Sequence, residues 1–414
     1  MFKGFENWQM GLLGEKLGHS FSALIHPKIG DYQYQLYEVA PEKLGGFLQN
    51  SNFAGLNVTI PYKKQVMEYL DDIAPMAKKI GAVNTIKKMP NGSLIGYNTD
   101  YDGFKYLLQN NKVVIKDKKV LILGSGGAAV MVSAVLEELG AKEIVMISRK
   151  GENNYQNIHK HYDAQAIINA TPVGMYPNNY QAPLDISHFK ACESVVDLIY
   201  NPLRTKLVTE AKMQGINAVG GLEMLVAQAA VSASIWCERE IEAEEIEKII
   251  TWLNKKMENI VLIGMPGCGK TTIAQKLSAL LDKEAVDLDE MFSAHFHQTP
   301  EEVINNEGEE VFRQMEHEIT KLAGKRSGII IAAGGGTVTR RENYFPLKQN
   351  GVIVYLKRDL AKLPKEGRPL SQRNDLAELY QKRKSDYKYF ADLTLAMTDD
   401  AEDNLRRLLP MLAE

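Results

Sequence analysis

Residues 259–281 read NIVLIGMPGCGKTTIAQKLSALL, and residues 119–150 read KVLILGSGGAAVMVSAVLEELGAKEIVMISRK. In each, a short apolar run predicts a buried strand, a glycine-rich turn ends it, and apolar residues at helical spacing follow. Strand, loop and helix in that order open a nucleotide-binding α/β unit, so the chain is expected to carry two nucleotide sites. Residues 119–150 add a second apolar strand, IVMIS, which completes half of a doubly wound fold.

The two loops differ in chemistry. Gly264-Met265-Pro266-Gly267-Cys268-Gly269-Lys270-Thr271 meets every fixed position of the G-x-x-x-x-G-K-[ST] phosphate loop. The backbone N–H groups from Gly267 through Cys268 and Gly269 to Thr272 would cradle ATP phosphates. Lys270 would neutralise the β and γ oxygens, and Thr271 would ligate Mg2+. The other loop, Gly124-Ser125-Gly126-Gly127-Ala128, lets a backbone approach a pyrophosphate at the positive end of a helix. Readers of NAD place an acidic residue after the second strand to take the ribose 2′-hydroxyl, whereas here the strand ends in Ser148-Arg149-Lys150. Cations at that place favour a 2′-phosphate and hence NADP(H); a solvated basic turn is the alternative reading.

At 414 residues the chain exceeds what one core usually supports, so two or three domains are expected. Apolar residues make up 45% and charged residues 24%, the profile of a chain folded throughout. A net charge of −3 gives no global field for a polyanion, and no Lys/Arg run suggests a nucleic-acid groove. Neither a leader nor an apolar stretch near the ~18 residues of a membrane span is indicated, so a cytoplasmic protein is expected. Cys192, Cys237 and Cys268 lie far apart, as reduced thiols rather than a disulfide framework or zinc site. Residues 238–259 are charged, helical in period and free of Gly and Pro, placing a boundary near Met257. The expected architecture is α/β throughout. Residues 1–110 form a small substrate lobe onto which helices of about 222–256 pack back, 111–221 a Rossmann-type dinucleotide lobe, and 257–414 a P-loop domain with a parallel sheet. A cleft between lobes is a usual ligand site.

Three upstream segments place polar groups where an ordinary fold needs none: Ser20-Phe21-Ser22, Asn57-Val58-Thr59-Ile60-Pro61-Tyr62-Lys63 and Asn98-Thr99-Asp100. With Gly81-Ala82-Val83-Asn84-Thr85, Asn169-Ala170-Thr171-Pro172 and Gly221-Leu222-Glu223-Met224-Leu225-Val226-Ala227-Gln228, they resemble the shikimate dehydrogenase family across nearly all of the first 250 residues. The resemblance implies that Lys63 is the acid/base group, protonating the 3-keto oxygen as hydride arrives, with Asp100 paired to it and to substrate hydroxyls. It implies Ser20, Ser22, Thr59, Asn84, Tyr200 and Gln228 as ligands of a polyhydroxylated carboxylate, and Leu198 and Gly221 as backbone neighbours of the nicotinamide. Two departures stand out. Ala23 replaces the family's usual Pro, and only about twenty residues separate Arg149 from Asn169, where many members carry a longer helix and strand.

Downstream of the phosphate loop, Asp287-Leu288-Asp289, Phe312-Arg313-Gln314-Met315-Glu316, Gly334-Gly335-Gly336, Gly367-Arg368-Pro369-Leu370 and Arg383 follow in the order and approximate spacing of the shikimate kinase family, over about 258–398. The resemblance implies Asp287 in the magnesium shell, Asp289 orienting or deprotonating the attacking hydroxyl, and Arg313 and Arg383 on the substrate carboxylate. Gly335 would sit close to the ring, and Arg368 on a lid would stabilise the transferring phosphoryl. Guanidinium forks suit a carboxylate, and Glu316 can fix Arg313 through an i,i+3 pair. Lys-Ser-Asp-Tyr after Arg383, where many members end in Pro-Leu-Tyr, and a short lid depart from the pattern.

Both resemblances point to one compound: reduction of 3-dehydroshikimate to shikimate with NADPH, then phosphorylation of shikimate with MgATP. Two other readings keep part of this pattern: a quinate or shikimate dehydrogenase using NAD joined to the kinase, and a chain in which one half is a non-catalytic ligand sensor. The sequence does not set the oligomeric state.

Overall fold

The computed structural model describes residues 7–18, 20–363 and 376–412, mixed α/β throughout. Contacts divide the chain into two compact units. One gathers the chain up to Met175 with Tyr180–Asn201 and Glu210–Asn254; the other gathers Tyr176–Asn179, Pro202–Thr209 and the chain from Lys255 onward.

The first unit holds two sheets. In the first, β1 (Gln9–Gly14), β2 (Gln33–Glu38), β3 (Gly55–Val58), β4 (Asp72–Ile73), β5 (Thr85–Lys88) and β6 (Leu94–Tyr97) run in the order β2-β1-β3-β5-β6-β4. The pairings of β5 with β3 and β6 are antiparallel and the others parallel. Leu13, Leu56, Val58, Val83 and Ile86 fill the core of this lobe. Helix α1 (Asp100–Asn110) leaves it.

The second sheet is wholly parallel: β7 (Lys119–Leu123), β8 (Glu143–Ile147), β9 (Ala166–Asn169), β10 (Ser194–Asp197) and β11 (Asn217–Val219), in the order β11-β10-β9-β7-β8. Four of the five β7 residues are buried, as expected of a central strand covered on both faces. The order reverses at β7, whose neighbours are β8 and β9, and helix α2 (Gly127–Glu138) starts from its carboxyl end. Crevices at such switch points are where open α/β sheets take ligands. The short connection after Arg149 has a structural meaning: its only helical turn is the 3₁₀ segment Ile158–His161, so β8 is the sheet's edge.

Helix α3 (Leu222–Cys237) returns to the substrate lobe and packs along α1 and onto β5. The close crossing explains Gly103, where a Cβ would stand 2.8 Å from the Met224 carbonyl oxygen. Fully buried Trp236 anchors the far end, its Nε1–H donating to the Ile86 carbonyl at 3.0 Å. Burying a large apolar side chain of this kind contributes about 1.5–3 kcal/mol over leaving it in water.

The second unit has one parallel sheet: β12 (Asn259–Ile263), β13 (Ala285–Asp287), β14 (Ile330–Ala332), β15 (Gly351–Lys357) and β16 (Leu393–Ala396), ordered β13-β14-β12-β15-β16. All of β12 is buried. Helices α4 (Lys270–Leu281), α5 (Leu288–Phe296), α6 (Glu309–Lys325) and α7 (Leu376–Phe390) surround it. The carboxyl ends of β12, β13 and β14 deliver, in turn, the phosphate loop, Asp287 and the triple glycine to one side of the sheet. Among the described residues no helix is long and apolar enough to cross a membrane.

Candidate active sites

A cleft of about 690 Å³ in the first unit is lined by Ser20, Ser22, Thr59, Lys63, Asn84, Asp100, Leu198, Tyr200, Gly221 and Gln228. Every residue that the sequence assigns to the hydroxy-acid site and the nicotinamide side therefore meets at one place. Lys63 Nζ donates to Asp100 Oδ2 at 2.7 Å, with both side chains partly open to solvent. Lys63 lies in the turn after β3, while Asp100 heads α1, where the helix dipole favours its charge. Tyr200 packs edge-on against Phe21, 5.7 Å between ring centroids; burial and the Asp100 charge both raise its phenol pKa, keeping it a neutral donor. Gly221 can only be glycine, since a Cβ would fall 2.2 Å from the Leu198 carbonyl oxygen.

The sequence reading gave no role to Asn57, Met224 or Leu225, which also line this cleft. Asn57 is buried, and its Oδ1 accepts from Tyr34 Oη at 2.8 Å and lies 3.0 Å from His26 Nε2. Burial lowers the His26 pKa to about 3, so its ring is neutral. With Nδ1 placed 2.7 Å from Tyr32 Oη, the consistent tautomer carries its proton on Nε2 and donates it to Asn57.

The dinucleotide loop lies at the carboxyl end of β7. Ser125, Gly126, Gly127 and Ala128 are exposed, and Cβ atoms added at Gly126 or Gly127 would meet nothing within 4 Å. Open space before the positive end of α2 fits a pyrophosphate. Ser148, Arg149 and Lys150 follow directly from β8, the two cations exposed, which fits a 2′-phosphate.

In the second unit, a cleft of about 1420 Å³ is lined by Gly267, Gly269, Lys270, Thr271, Asp287, Asp289, Arg313, Gly335 and Arg383, together with Thr299, Glu301, Ile304, Phe312 and Glu316. Cys268 is buried behind the loop and Thr272 is exposed; neither side chain lines the cleft, so both would act through their backbone N–H groups. Arg368 falls outside the described residues. Gly267 and Gly269 have φ of 80° and 104°, left-handed conformations that favour glycine. Lys270 Nζ donates to the carbonyls of Gly264 (3.0 Å) and Met265 (3.2 Å). Thr271 Oγ1 donates to Asp287 Oδ2 at 2.7 Å, bringing together two hard oxygens that could hold Mg2+. No group of three or more His, Cys, Asp or Glu able to hold a metal occurs among the described residues.

Asp289 lines the cleft near Asp287 and Glu316, its outer face open to solvent. Burial first, then those two charges, push its carboxyl pKa up to about 6, the range of a usable base. Arg313 is held by Glu316 (Nη1 to Oε2, 2.7 Å) and Glu309 (Nη2 to Oε1, 3.0 Å), and Glu316 also accepts from Thr337 Oγ1 at 2.7 Å. Each glycine of 334–336 fills a place where a Cβ would collide. The atom met would be Glu316 Oε1 at 2.7 Å, Pro266 Cγ at 2.6 Å and Arg313 Nη2 at 2.2 Å, respectively. Arg383 Nη1 and the buried Tyr387 hydroxyl both donate to the Gly335 carbonyl, at 3.1 and 2.5 Å. Tyr387, one helical turn after Arg383, closes the Lys-Ser-Asp-Tyr stretch noted in the sequence, which gave it no role in the cleft.

Comparison with known proteins finds relatives for both halves of the chain. Residues 12–86 match the family model of the shikimate dehydrogenase substrate binding domain, and residues 266–413 that of shikimate kinase. A shikimate dehydrogenase (NADP+) of Clostridium beijerinckii is 41% identical over 252 residues, covering 56% of this chain and 93% of that protein. The crystal structure of a chorismate mutase/shikimate 5-dehydrogenase fusion protein from Clostridium acetobutylicum superposes with a TM-score of 0.57 at 41% identity, covering 59% of this chain and 96% of that one. Shikimate 5-dehydrogenase of Thermus thermophilus, solved with NADP(H) and shikimate, does so with a TM-score of 0.53 at 30% identity, covering 59% and 98%. The chain belongs to the shikimate dehydrogenase family and carries, in the same polypeptide, a shikimate kinase domain that makes it an enzyme of two activities.

Proposed function

We propose that the first unit reduces 3-dehydroshikimate to shikimate with NADPH, and that the second transfers the γ-phosphoryl of MgATP to the shikimate 3-hydroxyl. The two steps share a cytoplasmic protein, and residues 1–110, 111–221 and 257–414 act as substrate lobe, dinucleotide lobe and kinase domain. The observation that carries the reading is the Lys63–Asp100 pair at 2.7 Å in a cleft ringed by hydroxyl and amide groups.

NADPH supplies the hydride. Lys63 gives a proton to the developing 3-alkoxide, and Asp100 holds the ammonium in place and accepts from a neighbouring ring hydroxyl. Ser20, Ser22, Thr59, Asn84, Tyr200 and Gln228 supply neutral hydrogen bonds to the remaining hydroxyls and the carboxylate. Gly124–Ala128 take the pyrophosphate, Ser148, Arg149 and Lys150 the 2′-phosphate, and Leu198 and Gly221 border the nicotinamide.

In the second cleft MgATP supplies the phosphoryl group. The backbone from Gly267 to Thr272 cradles its phosphates, Thr271 and Asp287 hold the metal, and Lys270 leaves the Gly264 and Met265 carbonyls to neutralise phosphate charge. Arg313 and Arg383 grip the substrate carboxylate, Gly335 lies against its ring, and Asp289 orients and deprotonates the 3-hydroxyl. Arg368 would stabilise the charge on the transferring phosphoryl. Purified protein supplied with NADPH, 3-dehydroshikimate and MgATP should yield shikimate 3-phosphate by mass. Absence of that product sinks the reading, and shikimate alone would confine the error to the second unit.

A further inference from the structure

Behind the wall of the dehydrogenase cleft lie three hydroxyls that do not themselves line it: Thr85 on β5, Thr99 just before α1 and Ser232 on α3, all wholly buried. They form a closed triangle, with Thr85 Oγ1 and Ser232 Oγ 2.8 Å apart, Thr99 Oγ1 and Ser232 Oγ 3.0 Å, and Thr85 Oγ1 and Thr99 Oγ1 3.1 Å. Three cleft-lining amides hang on it. Asn57 Nδ2 donates to Ser232 at 2.8 Å and to Thr85 at 3.3 Å. Asn84 Nδ2 donates to Thr99 at 3.1 Å, while its Oδ1 accepts from the Thr99 backbone N–H at 2.7 Å. Gln228 is held through its backbone carbonyl by Ser232 at 2.9 Å, and its Oε1 lies 3.5 Å from Thr99 Oγ1.

Proton counting limits how this ring can be wired. A hydroxyl has one proton to give and accepts through two lone pairs. Ser232 gives its proton to the Gln228 carbonyl, and its acceptor capacity is filled by Asn57 and Thr85, its nearest donors at 2.8 Å each. Thr85, which also lies 3.2 Å from Asn84 Oδ1, gives its proton to the nearer Ser232. That leaves the Thr99 proton to choose among Thr85, Asn84 Oδ1 at 3.3 Å and Gln228 Oε1. The orientation of Asn57 is fixed from the opposite side too, since neutral His26 and Tyr34 both donate to its Oδ1. An amide flip at Asn57 would set its NH₂ group against two donors.

We propose that the Thr85–Thr99–Ser232 triangle is the positioning device of this cleft, locking Asn57 into its wall through the amide Nδ2 and fixing which end of the Asn84 amide faces the ligand. It thereby sets affinity for a polyhydroxylated ring without entering the proton-transfer step at Lys63 and Asp100. Thr85 and Ser232 are thus positioning residues. The assignment builds on the hydroxy-acid reading of the cleft. The Thr99 hydroxyl is the swing element, released toward Asn84 or Gln228 as a ligand takes up one of their bonds.

The test compares Thr85→Val, which keeps the shape and loses the hydroxyl, with Thr85→Ser, which keeps the hydroxyl and loses a methyl, in the full chain under steady-state reduction. Ser232→Ala is the second hydroxyl deletion, at a helical site where Ala is favoured. Thr85→Val and Ser232→Ala should raise KM for the hydroxy-keto acid by about five- to tenfold, the worth of one or two buried hydrogen bonds. They should leave kcat, KM for NADPH and the pH profile of kcat within about twofold, while Thr85→Ser behaves like wild type. The reverse pattern, in which Thr85→Ser is impaired and Thr85→Val is not, would assign these residues to packing and overturn the proposal. Unchanged KM in both hydroxyl deletions, or a loss confined to kcat, would overturn it as well. The wild type's own turnover keeps the two ideas apart. If it reduces no 3-dehydroshikimate, the substrate reading fails, and the same KM ratios are read on whichever cyclic hydroxy acid it does turn over.

Discussion

The two clefts are prepared for their ligands in opposite ways. In the dehydrogenase cleft the polar side chains already have partners within the protein: Asn57 and Asn84 are tied to the hydroxyl triangle, Gln228 to the Leu225 carbonyl and Lys63 to Asp100, so a ligand meets groups that are fixed in advance. In the kinase cleft, about twice the volume, several groups hold placeholder partners. Lys270 rests on its own loop's carbonyls and Thr271 on Asp287, contacts that phosphate and metal must replace. The difference follows from the ligands. A polyhydroxylated ring rewards a rigid hydrogen-bond frame, because groups ordered in advance lose little further freedom on binding. A nucleotide that arrives with its own metal and charge supplies the order itself, so its site needs backbone that can come close, and glycine provides it.

The largest effects should separate the two clefts completely. Lys63→Ala should lower reduction by about 10²–10⁴-fold and leave phosphorylation of added shikimate unchanged. Lys270→Ala, or removal of Mg2+ by chelation, should do the opposite, with a loss of about 10²–10³-fold in phosphorylation for the substitution. If either substitution removed both activities while the far-ultraviolet circular dichroism and melting temperature stayed put, the contrast between independent sites would break.

Smaller effects sharpen the contrast. Gly336→Ala places a methyl 2.2 Å from Arg313 Nη2, so the guanidinium must leave its pair with Glu316, raising KM for shikimate by about tenfold or more with KM for ATP unchanged. A kcat/KM for phosphorylation that is flat in the acid range would contradict the role of Asp289. With its carboxyl pKa raised to about 6, the base form is present above that pH, and activity should fall about tenfold per unit below it. Arg149→Ala should have the least effect, lowering the preference for NADPH over NADH by about fivefold, since an exposed cation is screened by water. Equal rates with both cofactors in the wild type would show that the basic turn does not read the 2′-phosphate.

What the sequence disclosed, and what it hid, follows from the distance over which each feature is built. The strands ending at Leu123 and Ile263, and the glycine loops after them, are local patterns, and so were legible. Many of the residues that line the two clefts sit in short motifs, which is why the sequence could point to them, whereas Thr299 and Ile304 line the second cleft without any such mark. The missing strand beyond β8 showed as a short connection after Arg149, though only the sheet order gives that shortness its meaning. The hydroxyl triangle left no signal, because Asn57 and Ser232 are 175 positions apart and a buried Ser or Thr looks in sequence like any helix or strand residue. The collisions that demand glycine at 334–336 were equally hidden. The run itself stood out, but Pro266, Arg313 and Glu316 come from elsewhere in the domain.

If one polypeptide carries both active sites, inactivating each in a separate protein should leave a pair that complements in trans. Lys63→Ala and Lys270→Ala proteins are each given 3-dehydroshikimate, NADPH and MgATP, alone and mixed, and shikimate 3-phosphate is followed by mass. Each alone should make almost none, and the mixture should restore its formation, because shikimate released by one protein is phosphorylated by the other. A mixture that stays inactive, with both proteins folded, would contradict the account.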